Sequence, residues 1–418
     1  MVYNFLRKLK CTTSGPDDIP YWFWKTYAEI LAPVMMRIFN TSLESGKIPN
    51  VWKRADVIPC PKDNLISSCS QLRPISLTDI IMRLFEKCVY QSEIADTVYN
   101  YIGNGQFAYK KGHNSTVALI KYQHMWLKSL EEGAKSVRVI SFDFSKAFDN
   151  VAHDILFKKI KKIPINPYII NWLIDFLTNR SQRVKIDGVT TKFLNINRGV
   201  PQGTVLCPIM FSIMVNDIKA VYPLNELSKF ADDVAIIAPV YDCVDSIGDE
   251  VENMKVWSNE NRMPLNMEKT NEMIVRAKMS ISLLEYIPSI KRKEWLKLLG
   301  VTMEEIPGKW DRHFEEMMNK AGNRMYILRV CKHYGFTTHQ LDHLFNSLIV
   351  SLFTFAVEVW GGASYTKYVS QIDKFINRAY RNGFTSNKSD FKEIILNRDK
   401  KLGYLQGRKC CGSNFALL

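Results

Sequence analysis

The sequence predicts an α/β chain built on an antiparallel sheet, with an all-helical region toward its C-terminus. Three observations carry this. Val137-Arg138-Val139-Ile140-Ser141-Phe142 is a short apolar, β-branched run closed by Asp143, the make-up of a strand with an acid at its end. Leu227 to Phe230 and Val234 to Ile237 flank Ala231-Asp232-Asp233, which reads as a hairpin with its acids at the turn. From about Glu304 the apolar spacing takes the helical period and keeps it.

At 418 residues the chain has room for two to three domains with sizeable cores. Hydrophobic content of 46% and charged content of 23% exclude a disordered chain. The net charge of +14 and pI near 9.2 favour a polyanionic partner, nucleic acid before an anionic membrane. Nine cysteines show no C-x-x-C pair and no zinc spacing, which suits reduced intracellular thiols. The N-terminus lacks the apolar core of a signal peptide. No apolar run reaches the roughly 18–20 residues of a membrane span. Leu344 to Val359 comes nearest, but Asn346, Ser347, Ser351 and Glu358 interrupt it, and it reads as a buried helix.

In chain order, a short basic lead-in ends in the turn chemistry of Ser14-Gly15-Pro16-Asp17-Asp18-Ile19-Pro20. A helix carrying Trp22, Trp24, Tyr27, Ile30 and Leu31 follows, its spacing favouring core packing over stacking on bases. Residues 33–45 form the next helix, stopped by Gly46. Asp56-Val57-Ile58-Pro59-Cys60-Pro61-Lys62 and Gln71-Leu72-Arg73-Pro74-Ile75-Ser76-Leu77 are strand-like. Residues 77–98 read as a helix with Ile80, Ile81, Leu84, Phe85 and Cys88 as its apolar stripe, and 115–131 as another that Gly133 ends. Between them lies the basic, aromatic loop Gly105 to Gly112, a candidate contact for a nucleic-acid backbone.

After the Asp143 strand, a helix starts at Asp149 or Asn150. Its Lys158, Lys159, Lys161 and Lys162 suit either phosphate contacts or a solvated face. Residues 167–178 show helical spacing, and Asp187-Gly188 is the strongest turn signal in the chain. Helices are expected from about Pro208, over 244–261, and over 310–331, 337–357, 367–382 and 389–397. Residues 403–418 are unpatterned and expected to be disordered.

The chemistry centres on the acids. Adjacent carboxylates such as Asp232 and Asp233 repel one another unless a cation shares them, and their oxygens are hard ligands of the kind Mg²⁺ takes. Alone, the pair reads as an exposed acidic turn. With Asp143 it would make a cage for two divalent ions about 4 Å apart, the arrangement that serves in-line phosphoryl transfer.

Phe142-Asp143-Phe144-Ser145-Lys146-Ala147-Phe148-Asp149, then Val200-Pro201-Gln202-Gly203-Thr204-Val205-Leu206, then Phe230-Ala231-Asp232-Asp233 resemble successive palm motifs of a reverse transcriptase. The wider wording resembles the non-LTR (LINE-type, jockey-like) retrotransposon enzymes, from about Ser14 to about Asn397. The resemblance implies a right-hand polymerase with fingers, palm and thumb, an antiparallel palm sheet and a helical thumb. Lead-in and fingers would cover 1–136, the palm 137–303 with a fingers segment interleaved at about 154–195, and the thumb 304–402.

It also implies an RNA-directed DNA polymerase using two Mg²⁺ ions, with Mn²⁺ as a substitute, held by Asp143, Asp232 and Asp233. Lys269, in Leu265-Asn266-Met267-Glu268-Lys269-Thr270, would be the general acid to pyrophosphate or simply neutralise it. Arg73 and Lys62 would take the nucleotide's triphosphate. Phe144, Gln202 and Gly203 would line the nucleotide site, and Phe148, five residues after Asp143, would be the gate against a ribose 2′-hydroxyl. Leu298, Leu299 and Gly300 would form the primer grip, and Arg324, Arg329, Lys332, Lys374, Arg378 and Arg381 would lie on the duplex.

Asp149 would cap or brace the following helix rather than bind metal. The implied partners are an RNA template, a DNA primer, their hybrid and dNTPs, with no membrane, in the nucleus, although no targeting signal is seen. Asn114, Arg198 and Cys207 depart from the family's usual wording. The alternative reading is an inactive nucleic-acid-binding relic or host-adopted scaffold.

Overall fold

The computed structural model describes residues 1–62, 65–242, 244–277, 284–362, 366–388 and 390–405. They form two units that interleave along the chain, the first Met1–Tyr109, Phe144–Lys219 and Asn253–Asn266, the second Lys110–Asp143, Ala220–Glu252 and Met267–Leu418.

The first unit holds a mixed five-stranded sheet of β1 (Arg54–Pro61), β2 (Leu72–Leu77), β4 (Arg180–Ile186), β5 (Val189–Thr190) and β6 (Leu194–Ile196). β1 and β2 are antiparallel with Cys60 opposite Arg73. β4 returns from far along the chain to pair parallel with β1, Asp56 opposite Arg183, where the Arg183 guanidinium donates to the buried Asp56 at 2.7 Å. The turn into β5 holds Asp187 at φ +49° and Gly188 at +82°, the paired positive φ of a type I′ turn. β4 thus completes a sheet whose first strands lie far earlier in the chain.

The second unit holds the sheet β10-β9-β3-β8-β7. Its strands are β3 (Ser136–Phe142), β7 (Glu226–Phe230), β8 (Asp233–Val240), β9 (Asn271–Val275) and β10 (Lys291–Arg292). A separate hairpin joins β11 (Trp295–Leu298) to β12 (Val301–Glu304). β3 is the central strand, antiparallel to both β8 and β9, and Val137, Val139, Ile140 and Phe142 are fully or almost fully buried. Such two-faced burial explains its near-continuous apolar run. Arg138 is buried with them and is neutralised by Glu272 at 2.6 Å and Asp245 at 2.7 Å, as a buried cation requires. Helix Ser115–Glu131 packs on β3 and β8, and Asn114 caps it by accepting from Val117 N at 2.9 Å.

Several expectations need correction. The first aromatic cluster is only partly core: Trp24 is 6% exposed, whereas Trp22 is 55% and Ile30 71% exposed. The helix expected over 77–98 is Ile80–Val89, a π turn Tyr90–Ile94 and Ala95–Tyr101. Neither Asp149 nor Asn150 caps a helix. They lie in the 3₁₀ turn Ala147–Asn150, and helix His153–Ile160 begins at Ala152 with no side-chain cap.

Within the lysine cluster, Lys159 donates to Met214 O and Asp217 and lies over the Trp257 ring, so it is committed internally. Three of the cations expected to lie on the duplex are partly spent too: Arg324 donates to Leu348 O, Arg329 to Met325 O and Lys332 to Asn382 O. The last helix runs Phe391–Leu405, into the expected tail, whose remaining residues lie outside those described.

Among the described residues one helical stretch, Thr338–Trp360, is long and apolar enough to cross a membrane by length and composition, with 44% of its apolar window buried. A π turn at Asn346–Val350 and Ala356 at φ +47° interrupt it. Leu341, Phe345, Ile349, Phe353, Val357 and Trp360 are buried along it, the pattern of a core helix.

Candidate active site

In the second unit, β3 ends at Phe142, opposite Val234 of β8, so Asp143 follows at the sheet end where β8 begins. β7 and β8 close with Phe230 opposite Asp233, leaving Ala231-Asp232 as a two-residue turn. Ala231 sits at φ +56°, a conformation usually given to glycine at the first position of a type II′ turn. The turn is thus strained at the point that aims the acids. The sheet brings Asp143, Asp232 and Asp233 to one end.

Their proximity is visible in the Asp233 carboxyl, which is pushed up to about 6 by desolvation and then by the negative charges of Asp232 and Asp143. Asp233 keeps an open face to solvent, where water weakens the desolvation part, so the like-charge neighbours are the sounder cause. Among the described residues no three His, Cys, Asp or Glu side chains stand close enough to hold a metal ion. The acids share a sheet end and one another's field, not a closed coordination shell.

A cavity of about 30 Å³ adjoins this end, lined by Tyr122, Ser141, Asp233, Lys297, Leu298 and Leu299 among others. The expected grip residues Leu298 and Leu299 therefore stand beside an expected metal acid. Leu299 and Gly300 form the β11–β12 turn at φ +47° and +91°. A Cβ on Gly300 would meet the Phe355 ring at 3.1 Å. Tyr122 is 2% exposed and its hydroxyl is pushed up to about 12, by burial first. Lys269 is exposed on the turn before β9. Since Asn271 pairs with Ser141, that turn enters the sheet at the end where Asp143 lies.

The first unit carries the other expected site residues. Lys62 is exposed at the end of β1 and donates to Ser70 O at 3.2 Å, and Arg73 is exposed on β2. The Phe144 ring is 5% exposed and packs edge-on to Trp257 at 5.9 Å, leaving little of it to meet a ligand. Phe148 is half-buried and stacks on Phe211 at 4.4 Å. Gln202 donates through Nε2 to Asp149 Oδ1 at 2.8 Å and accepts at its carbonyl from Ser76 N at 2.7 Å.

Gly203 is at φ +103°, where a Cβ would lie 3.2 Å from Ser76 O and 3.3 Å from the Ile75 side chain. Close approach to β2 requires glycine here. Gly203→Ala is expected to cost about 1–3 kcal/mol, read as a lower denaturation midpoint at unchanged m-value. Arg198 donates to Asn150 O and Arg262 O. Cys207 is buried and its thiol is pushed well above the usual range by burial, then by Glu86 and Asp149, which makes it inert.

The largest feature missed from sequence is Glu86. It is fully buried, accepts at Oε2 from Leu206 N at 3.1 Å, and is pushed up to about 7, by desolvation first. Its second oxygen has no hydrogen-bond partner among the described residues. Arg180, also buried, offers opposing charge and is itself pushed down to about 10 by burial. The one sequence signal is an acid inside the Ile81/Leu84/Phe85/Cys88 stripe. Glu86 thus holds the segment just after Gln202-Gly203.

A family model described as reverse transcriptase (RNA-dependent DNA polymerase) matches residues 60–303. The chain is 26% identical over 245 residues to "RNA-directed DNA polymerase from mobile element jockey" of Drosophila melanogaster, covering 56% of this chain and 26% of that one. It is 23% identical over 384 residues to "Probable RNA-directed DNA polymerase from transposon BS" of the same species, covering 87% and 42%. A solved structure, apo telomerase from Candida tropicalis truncated of its C-terminal domain, aligns at TM-score 0.41 and 15% identity, over 70% of this chain and 61% of that one. The chain spans between about a quarter and two fifths of the length of the curated relatives named here.

Proposed function

Because this chain belongs to the reverse transcriptase (RNA-dependent DNA polymerase) family, we propose that it is the RNA-directed DNA polymerase of a non-LTR retrotransposon. Its substrates are a DNA primer on an RNA template and dNTPs. The observation that carries the reading is the convergence of Asp143, Asp232 and Asp233 on one sheet end, where two of them raise the proton affinity of the third. Three carboxylates in one another's field are a donor set that a hard divalent cation suits, since it relieves their repulsion. Mg²⁺, or Mn²⁺ in its place, would be held by these three and would supply charge stabilisation at the attacking and leaving oxygens.

The chain's own side chains do the rest. Leu298, Leu299 and Gly300 hold the primer end, their turn lying by the cavity that Asp233 lines. Lys269 gives a proton from Nζ to the departing pyrophosphate, or neutralises it. Arg73 takes phosphate oxygens through its planar fork and Lys62 as a point charge. Gln202 and Gly203 bound the nucleotide site, and the half-buried Phe148 ring excludes a 2′-hydroxyl. One such contact is worth a discrimination of about 10–100-fold. Phe148→Ala should raise ribonucleotide incorporation by that order in the folded fraction; an unchanged ratio would remove Phe148 from this role.

The reading is tested by extending a primer on an RNA template with dNTPs while divalent ion is titrated. Extension that rises with Mg²⁺ and stops with chelator supports it. Extension indifferent to the ion contradicts it.

A further inference from the structure

We propose that Asp149 is a positioning residue that sets which end of the Gln202 amide is offered to the incoming nucleotide. The inference rests on the reading of the chain as a polymerase and concerns a residue that the reading leaves unused. Asp149 is half-buried, and its Oδ1 accepts from Gln202 Nε2 at 2.8 Å. An ionised carboxylate only accepts, whereas an amide has one donating and one accepting end. Asp149 therefore admits one orientation of the amide and leaves Gln202 Oε1 as the outward atom.

The backbone around this bond is fixed. Val200 N donates to Phe148 O at 2.9 Å, Gly199 N to Val151 O at 2.8 Å, and Ser76 N to Gln202 O at 2.7 Å. Gly199, at φ +81°, has no room for a side chain, since a Cβ would lie 2.9 Å from Asp149 O. The two segments are zipped together, and the amide rotation of Gln202 is the freedom left for a side chain to settle. Burial raises the Asp149 carboxyl above its ordinary range, and the Gln202 hydrogen bond with the positive Lys146 and Lys62 offsets that rise only in part. Asp149 caps no helix, so its carboxylate is spent on Gln202. It also neighbours Phe148, so one short turn carries the gate and the amide's partner.

The test compares Asp149→Asn, Gln202→Ala and the double variant in the full chain. Asn keeps the shape but can donate as well as accept, so both amide orientations become available. Two quantities are read: the dNTP KM in extension on RNA, and the dNTP concentration that traps a ternary complex on a chain-terminated primer. Asp149→Asn should raise both by about tenfold, with kcat at saturating dNTP changed by less than about threefold. Melting should not fall, and Asp149→Asn should add nothing to Gln202→Ala, because residues acting through one another are not additive. Values equal to wild type, or a full extra loss in the double variant, overturn the inference and leave the polymerase reading standing. A wild type that neither extends nor traps dNTP overturns both.

Discussion

Asp233→Asn is expected to raise the melting temperature of the divalent-free chain while removing primer extension. The two effects share a cause. The Asp233 carboxyl is pushed up to about 6, so the folded state binds a proton that the unfolded state releases nearer the ordinary value of 3.8. A raised acid contributes stability at low pH and loses it as pH rises from the ordinary value through about 6. Asn has no charge to impose on Asp232 and Asp143, so the variant keeps at neutral pH what wild type has lost. The same substitution removes one of three anionic ligands, and extension should fall by about 10³-fold or more. Adding Mg²⁺ should raise the melting temperature of wild type by mass action and that of Asp233→Asn much less. A variant that melts lower than wild type without divalent ion would show that repulsion is not what the three acids experience.

Glu86→Ala should be among the most damaging substitutions outside the acids, costing about 2–4 kcal/mol. It opens a cavity and strands the Leu206 amide that Glu86 receives. Glu86→Gln should behave differently, because it keeps an acceptor and loses the charge. With the folded carboxyl at about 7 against 4.5, wild-type stability should fall by about 3 kcal/mol between those pH values and then level off. Glu86→Gln should flatten that slope and overtake wild type above pH 7. Denaturant midpoints taken across the range check this. Parallel slopes in the two proteins would place the titration elsewhere. Because the held segment follows Gln202-Gly203, Glu86→Ala should also weaken dNTP use in whatever fraction stays folded.

What could be read from sequence was what is local. The β3 strand ending at Asp143 and the hairpin turned at Ala231-Asp232 follow from short apolar runs and turn residues, and the structure has both. Gly46, Gly133 and Asp187-Gly188 take the positive φ that their residue types signal, for the same reason. Partners distant in sequence left no such mark. Nothing around Asp56 announces β4 beside β1, nothing in the lysine cluster says that Lys159 is taken by Asp217, and Asp149 beside a helix start looks like a cap.

Helical spacing shows that one face will be covered without showing how much of it, and so Trp22 and Ile30 were placed in a core that they do not enter. The nucleotide-site reading of Phe144 came from its motif position, while its ring went to Trp257. Glu86 was hidden because a buried acid violates the pattern from which burial is inferred.

The most direct measurement is extension of a DNA primer on an RNA template by the purified chain with Mg²⁺ and dNTPs, beside Asp232→Ala, with template–primer binding measured on both. The account predicts extension by wild type, its loss in Asp232→Ala, and binding retained by both. Wild type that binds template–primer and does not extend it, or Asp232→Ala that extends as well as wild type, would contradict it.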